Sequence, residues 1–198
     1  MRTAVLASGR GSNLKALLEA QKRGELPIKI VAVGSDQPKA AALELAKDNG
    51  IPTQVFAPAD YPNRQAQDEE LLIWLKENQV ELLLLAGYMR VLGPQFIRQA
   101  NIPVLNIHPS LLPAFPGLHA QRQALDYGVK VSGCTVHFVD EGLDSGPIIL
   151  QEAVPVLAED TEDSLAQRIL EAEHRLYPEA VRLLASGCVK RVGRRVRI

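Results

Sequence analysis

Two short stretches hold residue types that could do polar and acid–base chemistry at one place. Asn106 and His108 stand two residues apart in Leu105-Asn-Ile-His-Pro109. On a strand, alternation puts Asn106 and His108 on one face and Leu105 and Ile107 on the other. Pro109 then stops the ladder at the carboxyl end of the strand, the edge where open α/β sheets bind ligands. An amide donor and a titratable imidazole would meet at the mouth of a cleft. Taken alone, the pair is also what a hydrogen-bonded structural histidine gives. The second stretch, Asp140-Glu-Gly-Leu-Asp-Ser-Gly-Pro147, carries carboxylates on a turn able to close over the same edge. A carboxylate beside an imidazole favours the protonated ring. The same stretch also reads as a plain hairpin turn rich in Asp and Gly.

A third stretch, Ser8-Gly-Arg-Gly-Ser-Asn13, lies between an apolar strand and a helix. Backbone N–H groups and the helix dipole make an anion site there. The third glycine of a dinucleotide fingerprint is missing, because position 14 is Leu14, and no acid stands at the end of the second strand. Asp36 is nearest, but Gln37 and Pro38 after it do not resemble a ribose-binding strand end. No Walker Lys-Ser/Thr pair follows either. The loop is expected to hold one phosphate monoester, the alternative being a tight strand-to-helix turn.

These groups need a frame to hold them, and the rest of the chain supplies its pattern. Strand-like runs at 3–7, 28–33, 53–56, 82–86 and 104–107 alternate with amphipathic stretches at 13–23, 40–49, 64–78 and 94–100, each bounded by Gly, Pro or Asn. Leu82 to Leu85 lacks alternation, so both faces of that strand must be covered. Beyond residue 108 the character changes. Residues 110–117 carry two prolines and no periodicity, two further strands are expected at 131–139 and 148–156, and a helix at 161–185 opens with Asp160, Thr161 and Asp163. The expected fold class is α/β, an open, mostly parallel twisted sheet with helices on both faces, later antiparallel strands and a long C-terminal helix, all in a single domain over 1–198.

Composition narrows the function. With 22 basic and 23 acidic residues the net charge is −1, so no global field would gather nucleic acid or an anionic membrane. The one basic run, Lys190, Arg191, Arg194, Arg195 and Arg197, is broken by Val192, Gly193 and Val196 and reads as a terminal hairpin with a solvated face. Cys134 and Cys188 form no C-x-x-C, and neither cysteines nor histidines have ligand spacing, so no metal is expected. No run approaches the roughly 18 apolar residues of a membrane span. Residues 1–3 lead straight into a strand without a targeting pattern, so a cytoplasmic protein is expected.

Asn106-Ile-His-Pro-Ser-Leu-Leu-Pro113, Phe115-Pro-Gly117, Thr135-Val-His137 and Leu143-Asp-Ser-Gly-Pro147, with the opening Ser8 to Asn13 loop, resemble the folate-dependent formyltransferases. The N-terminal Gly-Ser-Asn and the Phe-Pro-Gly point within that superfamily to the phosphoribosylglycinamide formyltransferases of purine synthesis. The resemblance spans essentially the whole chain. It implies 10-formyltetrahydrofolate as co-substrate and a small phosphorylated amine as acceptor, with a monomer or homodimer as the working unit.

It further implies roles for particular residues. Asn106, His108 and Asp144 would be catalytic. Gly11, Ser12, Asn13, Pro109 and Glu173 would hold the phosphoribosyl substrate. Arg64, Met89, Arg90, Val91, Leu92, Asn106 and Asp140 would hold the folate. His119 and His137 would be structural or supporting. Some relatives carry a cation one helical turn before Glu173 where this chain has Leu170, leaving Arg168 or Arg175 as substitutes only if the helix is suitably rotated. Methionyl-tRNA formyltransferases and formyltetrahydrofolate deformylases carry additional domains for which this chain is expected to have no room. A non-catalytic nucleotide-binding module is the reading from another class.

Overall fold

The computed structural model describes residues Met1–Ile198. Five strands, β1 (Arg2–Leu6), β2 (Lys29–Ser35), β3 (Thr53–Val55), β4 (Leu82–Leu85) and β5 (Val104–His108), alternate with four helices, α1 (Ser12–Lys22), α2 (Ala41–Asp48), α3 (Arg64–Glu77) and α4 (Pro94–Ala100). All pairings recorded among these five strands are parallel. Each crossover contains a helix, as parallel neighbours demand. Helix starts follow local chemistry. Asn63 caps α3 by accepting from the Ala66 N–H at 2.9 Å, and Pro94 stands at the first turn of α4, where its missing N–H costs nothing.

The sheet has seven strands in the order β3-β2-β1-β4-β5-β6-β7. From β1 the chain winds outward through β2 to β3, then returns to β4 on the other side. This reversal leaves the carboxyl ends of β1 and β4 flanking the crevice where α/β sheets take ligands. The two loops that leave those ends are the glycine-rich Ser8 to Asn13 loop and residues 86–93. Leu82, Leu83, Leu84 and Leu85 are all buried, which explains their lack of alternation.

The chain separates into two compact units, Met1–Asn106 and Ile107–Ile198. The boundary falls inside β5, at a point with no linker composition. The second unit holds α5 (Ala120–Tyr127), β6 (Val131–Phe138), β7 (Ile148–Pro155), α6 (Glu162–Ala185) and the exposed hairpin β8 (Lys190–Val192) and β9 (Arg195–Arg197). β6 and β7 are antiparallel, with an irregularity between Val136 and His137. Helix α6 lays Leu165, Ile169, Ala172, Leu176, Tyr177 and Ala180 on β6 and β7 at helical spacing. Full burial of each large side chain in this stripe contributes about 1.5–3 kcal/mol. A reciprocal cap fixes its start: Thr161 Oγ1 accepts from Ser164 N, and Ser164 Oγ accepts from Thr161 N.

Two elements were not expected, a one-turn 3-10 helix at Pro58–Asp60 and α5. Helix α5 buries only the small Ala120 and Ala124, so few large apolar side chains mark it.

Candidate active site

In the first unit the polar groups at the carboxyl edge are largely backbone. Gly11 sits at φ 74° as the N-cap of α1, no side chain caps the helix, and the first helical bond runs from Lys15 N to Gly11 O at 2.8 Å. The amides of the first turn therefore lie ahead of the helical ladder, and no acidic residue competes there for an anion. Gly11 is also required by packing, since a Cβ would stand 2.9 Å from Ala42 Cα in a conformation that L-residues rarely adopt.

The loop after β4 carries Met89, Arg90, Val91 and Leu92. Met89 and Val91 are exposed apolar side chains, Met89 at 62%, whereas Leu92 is buried. Arg64, at the start of α3, keeps its guanidinium nitrogen 3.9 Å from Asp68 Oδ2 and is 46% exposed. It lines a cavity of about 280 Å3 with Asp68, Leu72, Gly93, Phe96 and Gln99. A cation held over open volume by a weak contact retains donors for a carboxylate. Burial raises the Asp68 carboxyl above its usual range, opposed by the Gly93 N–H and by the charges of Arg64 and Arg90.

The second unit assembles its titratable groups on one carboxylate. His108 is 5% exposed at the end of β5. Its Nδ1 lies 3.4 Å from Asp144 Oδ2, and its Nε2 lies 2.8 Å from the Phe115 carbonyl oxygen, which can only accept. Nε2 therefore carries a proton, and Nδ1 faces the carboxylate. Asp144 Oδ2 also accepts from Gly117 N at 2.8 Å, while Oδ1 stands 3.8 Å from His137 Nε2. Asp144 sits at φ 47°, a left-handed conformation that Asp tolerates better than most residues, and these contacts hold it there.

His137 is buried and its pKa is lowered, first by burial and further by His108, with the Phe138 carbonyl and Asp144 opposing. Its Nδ1 lies 2.8 Å from the Phe138 carbonyl, so the neutral ring carries its proton there. Asp144 thus faces His108 through one oxygen and a neutral His137 through the other.

Backbone geometry around this cluster is set by the proline-rich segment. Phe115, Gly117 and His119 all have positive φ, which turns the Phe115 carbonyl to His108 and the Gly117 N–H to Asp144. Thr135 fastens the segment, donating to the Ser110 carbonyl at 2.7 Å and accepting from Leu112 N at 3.0 Å. Gln151 donates to the Leu112 carbonyl at 2.9 Å.

Residues 1–181 match the family model described as formyl transferase. The chain belongs to the formyl transferase family. It is 50% identical over 96% of its length to the trifunctional purine biosynthetic protein adenosine-3 of Drosophila pseudoobscura pseudoobscura, of which it spans 14%. It is 47% identical over 98% of its length to the phosphoribosylglycinamide formyltransferase of Mycobacterium tuberculosis, of which it covers 89%. Among solved structures it is similar to glycinamide ribonucleotide transformylase 1 from Symbiobacterium toebii, with TM-score 0.97, 52% identity, and coverage of 100% of this chain and 93% of that one.

The structure gives the acids of residues 140–147 different surroundings. Asp140 Oδ1 accepts from Ser145 Oγ at 2.6 Å and from Gly142 N at 3.1 Å, which turns that oxygen into its own loop. Asp144 is the acid that faces His108. Glu173 is buried on α6, and Pro109 is half-buried just past β5. The two cations considered in place of Leu170 are both engaged elsewhere. Arg168 makes a bidentate pair with Asp160 at 2.7 and 2.9 Å, and Arg175 pairs with Glu152. His119 is exposed at the start of α5, away from the cluster contacts, whereas His137 is part of them. Sequence reading missed the Phe115 carbonyl and Gly117 amide because backbone groups have no side-chain signature. The Thr135-x-His137 alternation was the available pointer to β6.

Proposed function

We propose that this chain transfers the formyl group of 10-formyltetrahydrofolate to the glycine amine of N1-(5-phosphoribosyl)glycinamide in de novo purine biosynthesis. The observation that carries the reading is the His108–Asp144 contact two residues beyond Asn106, in a family whose chemistry is formyl transfer. The names of the similar proteins supply the acceptor.

On this reading the substrate phosphate sits on the amides of Gly11, Ser12 and Asn13, with Pro109 and Glu173 toward the ribose. Arg64 takes the glutamate carboxylate of the folate, residues 89–92 with Asp140 and Asn106 take the ring system, and the exposed Met89 and Val91 suit its apolar faces. The amine nitrogen attacks the formyl carbon, a C–N bond forms, and the carbonyl electron pair moves to oxygen. The oxyanion needs donors about 3 Å away, supplied by the Asn106 amide and the His108 imidazolium. His108 Nε2 is already committed to a neutral carbonyl. Turning it to the oxyanion exchanges a weak acceptor for a strong one, which favours the transition state over the ground state. Asp144 holds the ring and its charge. Collapse breaks the bond to the folate N10, which takes the proton lost by the amine, with a water as carrier. No covalent enzyme intermediate is needed. Reduced Cys134 and Cys188 fit a cytoplasmic setting.

The test follows folate absorbance with 10-formyltetrahydrofolate and phosphoribosylglycinamide, against a control with water as the only acceptor. Product folate should form only when the amine is present. Equal release in water would make the chain a deformylase, and no turnover would leave a binding module.

A further inference from the structure

The loop at residues 86–93 has no regular secondary structure, although it carries the residues assigned above to the folate. Its shape must come from specific bonds, and the structure shows them at both ends. At the start, Ala86 N donates to Leu6 O at 2.8 Å and Ser8 N to Gly87 O at 3.0 Å, continuing the β1–β4 ladder. Met89 N then donates to Ser8 Oγ at 2.8 Å, and Ser8 Oγ donates to Asp36 Oδ1 at 2.5 Å. Asp36 is 5% exposed, and its second oxygen accepts from Gln37 Nε2 at 3.2 Å. Because a carboxylate only accepts, the Ser8 proton must point at Asp36, which leaves the hydroxyl lone pairs for the Met89 amide. At the far end, Gly93 N donates to Asp68 Oδ2 at 3.1 Å, and Asp68 is 7% exposed. Gly93 permits this approach, since a Cβ there would stand 2.6 Å from the same oxygen.

We propose that Asp36, acting through Ser8, and Asp68, acting at Gly93, are positioning residues that clamp the loop from both ends and thereby set how residues 89–92 meet the folate. The inference rests on the assignment of residues 89–92 to the folate. It gives a task to Asp36, which lies at the end of β2 and has no place in dinucleotide recognition here. It also explains why two buried acids stand on either side of an irregular segment. A buried acceptor of backbone N–H groups fixes backbone position more strictly than apolar packing does, because the bond weakens steeply with angle.

The experiment uses the full chain with Ser8→Ala, Asp36→Ala, Asp36→Asn, Asp68→Ala and Asp68→Asn, and adds Val91→Asp as a direct probe of the folate assignment. Amide hydrogen exchange at Met89 and Gly93 is measured by NMR, together with KM for 10-formyltetrahydrofolate and for phosphoribosylglycinamide. Loss of a charge-assisted bond should raise the folate KM about tenfold in Ser8→Ala, Asp36→Ala and Asp68→Ala, and spare the other KM. The Met89 amide should lose protection in the first two, and the Gly93 amide in the third. Both Asn variants keep an acceptor oxygen and should stay near wild type, so the Ala variants are read against them even where stability falls. If Val91→Asp raises the folate KM while the Ala variants leave both exchange and folate KM unchanged, the clamp is overturned and the folate assignment stands. If Val91→Asp leaves the folate KM unchanged, the assignment itself fails and the clamp has no function to serve.

Discussion

In residues Met1–Asn106 the groups offered at the carboxyl edge are mostly backbone amides, fixed by glycines and by buried acids that accept from the chain. In Ile107–Ile198 they are side chains, and there the backbone does the fixing: the Phe115 carbonyl holds His108 and the Gly117 amide holds Asp144. The difference follows from what each unit handles on the proposed reading. A phosphate is bound well by oriented N–H groups and a helix end, which need no titration. Formyl transfer also moves a proton from the amine to the folate nitrogen, so an ionisable side chain beside the neutral Asn106 donor suits it, because it can hold and release charge as the oxyanion appears and disappears. Substitutions in the loops of the first unit should therefore act on binding and stability, and substitutions at its last residue, Asn106, and in the second unit on rate.

The strongest test of that contrast is His108→Ala, which should lower kcat about 10²–10³-fold while the protein remains folded. Asn106→Ala should fall in the same range. Because both groups serve one transition state, the double variant should lose less than the product of the two losses. Single-turnover formyl transfer with circular dichroism on the same samples checks it. A His108→Ala rate within a few-fold of wild type would return the histidine to a structural role.

Arg64→Ala comes next. Removing a charge-assisted partner of a carboxylate costs about 1.5–3 kcal/mol, so the folate KM should rise roughly tenfold or more with the other KM unchanged. Equal folate KM values in the two proteins would make Arg64 a surface cation beside its cavity.

For the glycine loop, the structure changes which substitution is informative. A bulky residue at Gly11 would block the phosphate, yet even Ala must adopt positive φ at about 1–2 kcal/mol and meets Ala42 at 2.9 Å. Gly11→Ala should therefore lower Tm by several degrees. Ser12→Ala, which leaves the backbone donors in place, should weaken the phosphorylated substrate only modestly without changing Tm. Paired melting curves and KM values separate the two effects. An unchanged Tm in Gly11→Ala would mean that the loop relaxes freely.

Much of this arrangement is visible in the sequence, and what is hidden has physical reasons. Leu82 to Leu85 announced a strand covered on both faces, and the turn residues marked most helix ends. Helix α5 escaped because it buries two alanines and little else. The residues alone offer three acids at positions 140, 141 and 144 without ranking them, and only the family resemblance points to Asp144. Their ranking depends on loop conformation: Ser145 and Gly142 turn Asp140 inward, and the left-handed backbone at Asp144 aims that side chain at His108. The sequence expects no acid at the end of the second strand, yet β2 runs on to Ser35 and Asp36 follows it directly, with its partner Ser8 lying 28 residues away in sequence.

The smallest expected effect concerns His137, whose neutral state leaves Asp144 free to serve His108. Burial lowers its pKa below the ordinary 6.5. In the unfolded chain the ring takes up a proton as pH falls through about 6.5, while the folded ring stays neutral until its own lower value is reached. Across that window the unfolded state binds more protons, so wild type should lose stability as pH drops. Above pH 7 both states are neutral and the ring contributes no pH dependence. His137→Gln, a neutral side chain that can still donate to the Phe138 carbonyl, removes this term. Denaturant unfolding at pH 7.5 and 5.5 should therefore show a larger loss in wild type than in His137→Gln, with acids common to both proteins cancelling in the difference. An identical loss in the two proteins would mean that His137 takes up its proton in the folded chain as readily as in the unfolded one, and that burial does not keep the ring beside Asp144 neutral.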